Sequence, residues 1–178
     1  MTPEIAYRKL LEEKGSEGAP GTVFECEREY LEHTISVSAE YSCLYAEQVI
    51  EGRFILGEDA ISKDAFFSYE YACVVIGGRF HLGEAVICKD AWESYHYAKN
   101  VIKGRFELGE AAISEDAEYS YLYARNVIKG RLPTVMHNKM IAFGIMDSSD
   151  KYVKKYLGSK KYCTLKRKDT KNESKLGI

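Results

Sequence analysis

Four arginines, Arg53, Arg79, Arg105 and Arg131, recur at intervals of 26 residues, each directly after a glycine. A regular row of guanidinium groups has two chemical uses. It can bind phosphates or acidic side chains of a partner, or it can form ion pairs that hold successive segments of the chain together. Acids recur at the same interval, so we expect a structural ladder. The candidate partners in this ladder are Asp64, Asp90 and Asp116, or alternatively Glu58, Glu84 and Glu110.

The other reactive side chains form no catalytic or metal-binding pattern. The sequence contains no phosphate-binding G-x-x-x-x-G-K loop, no H-E-x-x-H and no nucleophile elbow. Its four histidines fit no metal spacing, and its five cysteines include no C-x-x-C pair, which favours reduced thiols. The sequence therefore predicts a protein with no enzymatic activity, no metal and no cofactor.

The elements that position the arginines are units of a 26-residue repeat, which begin at Ile35, Ile61, Ile87 and Ile113. We call them units 1 to 4 and number the positions within each from 1 to 26. The consensus is I-S-x-D-A-x-x-S-Y-x-Y-A-x-x-V-I-x-G-R-F-x-L-G-E-x-A, with nine positions identical in all four units. Repetition within one chain indicates which positions every copy needs.

Each unit predicts one helix of about 15 residues and a short return segment. Ser62 and Ser114 are candidate N-caps, the aspartates follow in the first turn, and Gly104 and its equivalents are candidates to end the helix at C′. Positions 5, 8, 9, 12, 15 and 16 follow helical spacing and form an apolar face. Such units must stack to bury that face. The predicted fold class is therefore all-α, an α-solenoid of four repeats with atypical helical caps.

The predicted domains are an N-terminal helical cap at 1–34, the four repeats at 35–132, a degenerate fifth repeat or cap at 133–158, and a basic tail at 159–178. In the degenerate unit, Tyr152–Val153 corresponds to Tyr–Ala of the repeat and Tyr156–Leu157 to Val–Ile. The tail has seven Lys or Arg residues and two acids. It is either a solvated terminus or a segment that contacts nucleic acid or an acidic partner.

Two columns of tyrosines accompany the arginines. We expect their rings to fill the core while each hydroxyl reaches a polar group at its edge, although tyrosines interleaved with arginines could also stack on bases. The columns are Tyr45, Tyr71, Tyr97 and Tyr123 at position 11, and Tyr69, Tyr95 and Tyr121 at position 9.

The positions that vary between units lie opposite the apolar face, on a side that should meet water. Large apolar residues on such a side indicate a surface that binds a partner. For Phe66 and Trp92, a hydrophobic staple to Ile61 or Ile87 is an alternative. The candidate partner-binding residues are Phe66, Phe67, Glu70, Val74, Trp92, His96 and Tyr119.

The composition limits the class of protein further. The net charge of −2 argues against attraction of the whole surface to nucleic acid or to a membrane. No apolar run reaches the length of a membrane span, and the N-terminus lacks the layout of a signal peptide. The sequence therefore predicts a cytoplasmic protein.

The tandem segments of the form Y-A-K-x-V-I-K-G-R-[FW], such as YAKNVIKGRF at 97–106, resemble a family of uncharacterised repeat proteins of tailed phages. The resemblance covers residues 35–132. It implies a viral accessory protein that acts in the cytoplasm of an infected bacterium by binding a host protein, as an inhibitor or adaptor. Two alternatives stay open: a nucleic-acid-binding protein that uses the arginine row or the basic tail, and a structural protein that self-associates into a homo-oligomer.

Overall fold

The computed structural model describes residues 1–15, 25–147 and 149–159, so residues 160–178 of the basic tail lie outside the described residues. The described part of the chain is all-α, as the sequence predicts: helices are joined by short turns. In chain order the α-helices are α1 (Pro3–Gly15), α2 (Glu25–Ser36), α3 (Ala39–Tyr45), α4 (Glu58–Ile61), α5 (Ala65–Glu70), α6 (Glu84–Ile87), α7 (Ala91–His96), α8 (Glu110–Ile113), α9 (Ala117–Tyr123), α10 (Thr134–Met146) and α11 (Lys151–Leu157).

Helices α3, α5, α7 and α9 each continue into a π-helical turn, and we call each helix with its turn a repeat helix. The turn ends at a residue in the left-handed conformation. In unit 3 this residue is Lys103 (φ 55°), whose N–H bonds the carbonyl of Ala98. The prediction that Gly104 takes this place is therefore wrong by one residue. The π-helical turns are Ala46–Ile50, Tyr71–Ile76, Tyr97–Ile102 and Ala124–Ile128, and their left-handed end residues are Glu51, Gly77, Lys103 and Lys129.

The residue at position 4 caps each repeat helix, two residues later than predicted. The Asp64 carboxylate accepts the backbone N–H of Phe67 at 3.0 Å. Ser62 and Ser114, the predicted caps, lie instead at the ends of the short helices α4 and α8, where the Ser62 hydroxyl donates to the Asp59 carbonyl. An aspartate suits both the N-cap and the first turn, so composition alone does not separate the two placements. The other repeat helices are capped by Ser38, Asp90 and Asp116.

Along the chain the helices alternate between two layers. The odd-numbered helices contact one another in order from α1 to α11, and each even-numbered helix contacts the odd-numbered helix before it. Helices α1 and α11 therefore lie at the two ends of the layer of repeat helices. The even-numbered helices form the second layer, in which α2 contacts α4.

The burial of side chains repeats with the sequence. Tyr45, Tyr71, Tyr97 and Tyr123 are fully buried, and so is the alanine that follows each of them. The isoleucine that begins each unit is fully buried as well. Because equivalent side chains have the same environment in every unit, the repeated isoleucine, tyrosine and alanine columns are residues that the core requires.

Close packing of the two layers requires the glycine at position 23. A Cβ atom on Gly109 would lie 2.6 Å from the Phe106 ring and 2.6 Å from the Ser94 hydroxyl. Gly57 and Gly83 have the same environment. The glycine at position 18 is present in all four units, yet a Cβ on Gly104 would meet nothing closer than 3.9 Å. The more widely repeated glycine is thus the less confined of the two.

Helices α10 and α11 continue the alternation with a different spacing. The backbone N–H of Leu132 donates to the Tyr156 hydroxyl at 3.2 Å, as the N–H of Phe54 donates to the Tyr71 hydroxyl at 2.8 Å. Tyr156–Leu157 therefore corresponds to Tyr–Ala of the repeat, and the predicted correspondence to Val–Ile is wrong. The reason is that α10 has 13 residues whereas α4 has four, which shifts the register.

Gly109→Ala is expected to lower the free energy of unfolding by about 1–3 kcal/mol, because the added Cβ overlaps Phe106 and Ser94. Gly104→Ala is the matched control, with an expected change below about 1 kcal/mol. Urea unfolding followed by circular dichroism measures both. Equal losses in the two variants would contradict the packing role of position 23.

Candidate functional site

Three of the four arginines form bidentate ion pairs with the glutamate five residues later. Arg79 donates from Nε to Glu84 Oε1 at 2.7 Å and from Nη2 to Glu84 Oε2 at 2.9 Å. Arg53 bonds Glu58 and Arg105 bonds Glu110 in the same way. The other acids considered, Asp64, Asp90 and Asp116, cap the repeat helices and form no ion pair with these arginines within the described residues.

A buried tyrosine from the next unit completes each of these sites. The Tyr97 hydroxyl accepts the backbone N–H of Phe80 at 2.9 Å and donates to Glu84 Oε1 at 3.0 Å. One tyrosine thus connects its own helix to the acid, the arginine and the backbone of the preceding unit. We call each such site an Arg–Glu–Tyr cluster. The three clusters are Arg53–Glu58–Tyr71, Arg79–Glu84–Tyr97 and Arg105–Glu110–Tyr123.

The electrostatics of the cluster favour an ionised acid and a neutral phenol. Burial alone would raise the pKa of Glu84, but the hydrogen bonds from Arg79 and Tyr97 outweigh burial and lower it. Burial raises the pKa of Tyr71 to about 12, so its hydroxyl keeps its proton at neutral pH. Because Nε and Nη2 of Arg53, Arg79 and Arg105 donate hydrogen bonds to the glutamates, these two nitrogens are not available to bind phosphates.

The N-terminal junction has a variant of the cluster. Glu32, which is 26 residues before Glu58, accepts a hydrogen bond from the Tyr45 hydroxyl at 2.7 Å. Arg28 forms an ion pair with Glu13 of α1 at 2.6 Å. Helix α2 thus supplies the acid that a preceding repeat would supply.

The C-terminal junction retains the tyrosine but lacks the acid. Met136 stands five residues after Arg131, where the other units have glutamate, and Arg131 Nε is buried without a hydrogen-bond partner in the described part of the chain. The Tyr156 hydroxyl instead lies 2.8 Å from His137 Nδ1. Burial, and then the Arg131 charge, lower the pKa of His137. This junction therefore holds a neutral imidazole beside an uncompensated guanidinium.

Four of the candidate partner-binding residues lie on the repeat helix of unit 2. Phe66, Glu70 and Val74 are spaced by four residues along this helix, so they form one ridge. The side chains of Phe66 and Val74 are 48% and 53% exposed, whereas Glu70 is half-buried. Phe67 is also half-buried and packs against the core, with its ring 5.2 Å from that of Phe66. The ridge presents two apolar side chains to water.

The other three candidates, Trp92, His96 and Tyr119, belong to an aromatic cluster across units 2 to 4. The Trp92 ring lies 5.5 Å from the Tyr69 ring and 4.2 Å from the His96 ring. Tyr95 lies 4.9 Å from His96 and 5.9 Å from Tyr119. All three candidates are half-buried, because repeat helices that lie side by side cover the flanks of the variable stripe. The prediction that the variable positions are exposed to solvent is therefore wrong for these three residues and for Phe67 and Glu70.

Pairs of hydrogen-bonded residues between adjacent repeat helices were not anticipated from the sequence. Asn100 donates to the Tyr69 hydroxyl at 2.8 Å, and Asn126 donates to the Tyr95 hydroxyl at 2.6 Å. Each pair joins position 9 of one unit to position 14 of the next. The sequence contains a signal for these pairs. Unit 1 has cysteine instead of tyrosine at position 9, and unit 2, which follows it, has valine instead of an amide at position 14, Val74.

A row of exposed leucines on the second layer was also missed. The side chains of Leu56, Leu82 and Leu108 are 49%, 60% and 60% exposed. They occupy position 22, which the sequence analysis treated only as part of the return segment. Their repetition together with a lack of burial distinguishes them from the core leucines.

The described residues lack two other kinds of feature. No group of three His, Cys, Asp or Glu side chains is arranged to hold a metal ion in the ranges that the structure describes. Within the same ranges, no helix has the length and apolar character needed to cross a membrane.

Tyr97→Phe is expected to cost about 1–3 kcal/mol of unfolding free energy, because it leaves the buried N–H of Phe80 and the Glu84 carboxylate without their shared partner. Tyr119→Phe is the control, since its hydroxyl forms no hydrogen bond within the described residues; its expected change is below about 0.5 kcal/mol. Chemical denaturation measures both. A loss for Tyr97→Phe as small as that of the control would contradict the cluster.

His137 is expected to make the protein less stable in acid. Its folded-state pKa is lowered by burial and by Arg131, so its contribution is complete above the ordinary pKa of about 6.5 and is lost as the pH falls through the folded value. Arg131 and Tyr156 are the groups that face the imidazole. Denaturation between about pH 8 and pH 5 should show a smaller decline for His137→Gln than for wild type.

Other groups titrate in the same range but do not affect this comparison. Burial, and then Asp90, raise the pKa of Glu93 to about 7, and burial and Lys99 lower the pKa of His96; both residues are present in both proteins. Tyr119→Phe is the control, because burial raises the pKa of this phenol further above the range of the experiment, and it should retain the wild-type slope. Identical slopes for His137→Gln and wild type would contradict the assignment.

Comparison with known proteins adds no family: no family model, no curated protein and no solved structure matches this chain.

Proposed function

We propose that this chain is an α-solenoid scaffold of four 26-residue repeats that binds a host protein and catalyses no reaction. Its place of action is the cytoplasm of an infected bacterium, where it serves as an inhibitor or adaptor. Two kinds of observation support the proposal. The alternating layers and repeated Arg–Glu–Tyr clusters fit units that stack, and the resemblance of residues 35–132 to tailed-phage repeat proteins fits a viral accessory role.

The observation that carries the binding role is the exposed ridge of unit 2. At position 14, Gln48, Asn100 and Asn126 each form a hydrogen bond with a tyrosine of the neighbouring helix, whereas Val74 is 53% exposed. At position 6, units 1 and 4 have glutamate, whereas unit 2 has the exposed Phe66. Unit 3 has tryptophan at position 6, but Trp92 is half-buried. Unit 2 therefore exposes apolar surface at position 14, where both neighbouring units have amides, and at position 6, as expected of a surface that a partner covers.

The two alternatives have less support. Nucleic-acid binding through the arginine row would require guanidinium groups that Glu58, Glu84 and Glu110 already engage. Self-association would use the two ends of the layer of repeat helices, at α1 and α11.

Phe66→Glu and Val74→Glu are expected to abolish capture of a host protein that wild type retains from bacterial lysate. Both side chains are about half exposed, so the fold should tolerate the changes. With the purified partner, each variant should weaken the dissociation constant by about tenfold or more, since an apolar anchor becomes a charge.

Leu82→Glu is the matched control. It changes an equally exposed apolar residue of the same unit, but on the second layer, and it should bind like wild type. If the ridge variants retain every protein that wild type and Leu82→Glu retain, the ridge is not the binding surface.

A further inference from the structure

The charges at the C-terminal ends of the repeat helices change sign along the chain. Positions 13 and 17 carry Glu47 and Glu51 in unit 1, and both positions are uncharged in unit 2. In units 3 and 4 the same positions carry only cations. These cations are Lys99, Lys103, Arg125 and Lys129, and all four are exposed.

Within the described residues, the acidic end has an ion-pair partner, whereas the basic end has none. Lys14 of α1 pairs with Glu51 and also donates to the carbonyl of Gln48 at 2.9 Å. Lys99, Lys103, Arg125 and Lys129 form no ion pair within the described residues. Arg131, two residues after Lys129, has lost its glutamate to Met136. We call Lys99, Lys103, Arg125, Lys129 and Arg131 the basic edge.

Helix dipoles do not account for the basic edge. A cation in the last turn of a helix is favoured by the dipole, but unit 1 has acids at the same positions of an equivalent helix. The dipole also gives no reason for the replacement of an acid by Met136 beside Arg131. Arg131 Nε is buried without a hydrogen-bond partner among the described residues, and exposed cations such as Lys129 add positive charge at the ends of the same helices, so an anion from outside would be favoured there.

The chain itself shows which anion this guanidinium accepts. In the other three junctions, the equivalent arginine binds a carboxylate through two nitrogens. The remaining parts of the cluster are retained at the last junction, where the N–H of Leu132 still bonds the Tyr156 hydroxyl. In the part of the chain that the structure describes, the difference is that the buried Met136 takes the position of the glutamate.

The neighbouring aromatic rings favour a carboxylate over a nucleic-acid base. Tyr95, under Lys99, is 2% exposed and its hydroxyl is bound by Asn126. Tyr123 is fully buried. Proteins that hold single-stranded nucleic acid combine a basic groove with stacking of bases on open aromatic faces, and these two rings offer no such face.

We propose that the basic edge binds an acidic polypeptide segment, one carboxylate of which pairs with Arg131 while others meet Lys103 and Lys129. This surface lies at the ends of the repeat helices of units 3 and 4, it shares no residue with the apolar ridge of unit 2, and the test below does not depend on that ridge. A test with purified protein therefore remains decisive whether or not a host partner is found.

The test measures binding of the full chain to labelled poly-L-glutamate and to oligothymidylate by fluorescence anisotropy at about 50 mM salt. Wild type should bind poly-L-glutamate more tightly, and Lys103→Glu with Lys129→Glu should weaken this binding by about tenfold or more. The control, Lys63→Glu with Lys89→Glu, makes the same change in net charge at exposed sites near the opposite ends of the repeat helices. It should weaken binding by less than about threefold.

A second variant tests Arg131 directly. Met136→Glu restores the acid of the other junctions, so it should raise the melting temperature and weaken poly-L-glutamate binding by about threefold or more, because Arg131 is then paired internally. Met136→Gln, which adds polarity without charge, should not weaken binding. Every variant keeps residues 160–178 and their seven Lys or Arg residues, so the tail contributes equally.

Three results would overturn the proposal. One is the absence of wild-type binding to poly-L-glutamate, and another is equal weakening by the control pair and the edge pair. The third is tighter binding of oligothymidylate that the edge pair abolishes, which would assign the basic edge to nucleic acid.

Discussion

A buried glutamate that receives hydrogen bonds from two successive units is the interaction on which the rest of the structure depends. Glu84 is 5% exposed, and a carboxylate this deeply buried is stable only when it is paired and hydrogen-bonded. Arg79 supplies the charge from its own unit, and Tyr97 supplies the hydroxyl from the next. Because the same tyrosine also accepts the N–H of Phe80, the cluster determines how one repeat helix lies against the preceding turn. The contact recurs every 26 residues at the junctions that Tyr71, Tyr97 and Tyr123 complete.

Two departures from the repeat consensus produce distinct regions of the protein surface. Unit 2 replaces the cross-helix hydrogen bond of position 14 by Val74 and exposes Phe66 beside it. The last junction replaces glutamate by Met136 and leaves Arg131 without an acid. One break yields an apolar ridge and the other contributes to a basic edge. The repeated residues thus explain the stability, whereas the exceptions are the surfaces where we propose that partners bind.

Much of the fold could be predicted from the sequence because repetition within the chain separates required residues from tolerated ones. The helical character, the buried column that includes Tyr97 and the structural use of Arg79 all follow from this repetition. The predictions that were wrong concern helix ends, where a residue type is equally suitable at two neighbouring positions. Asp64 suits an N-cap as well as a first turn. The left-handed residue that ends the repeat helix of unit 3 is Lys103, although the glycine that follows it is the residue type expected there. Periodicity of one helix also could not show that a neighbouring helix half-buries Phe67, Trp92 and Tyr119.

Hydrogen exchange at the amides of Phe54, Phe80 and Phe106 tests the central role of the clusters most directly. These N–H groups lie outside the helices, where loop amides ordinarily exchange fast, but each donates to a buried tyrosine hydroxyl at 2.8 to 2.9 Å. If the clusters hold successive units together, the three amides should exchange only through opening that approaches global unfolding, as slowly as the core of the repeat helices. Exchange at rates typical of exposed loops would contradict the account.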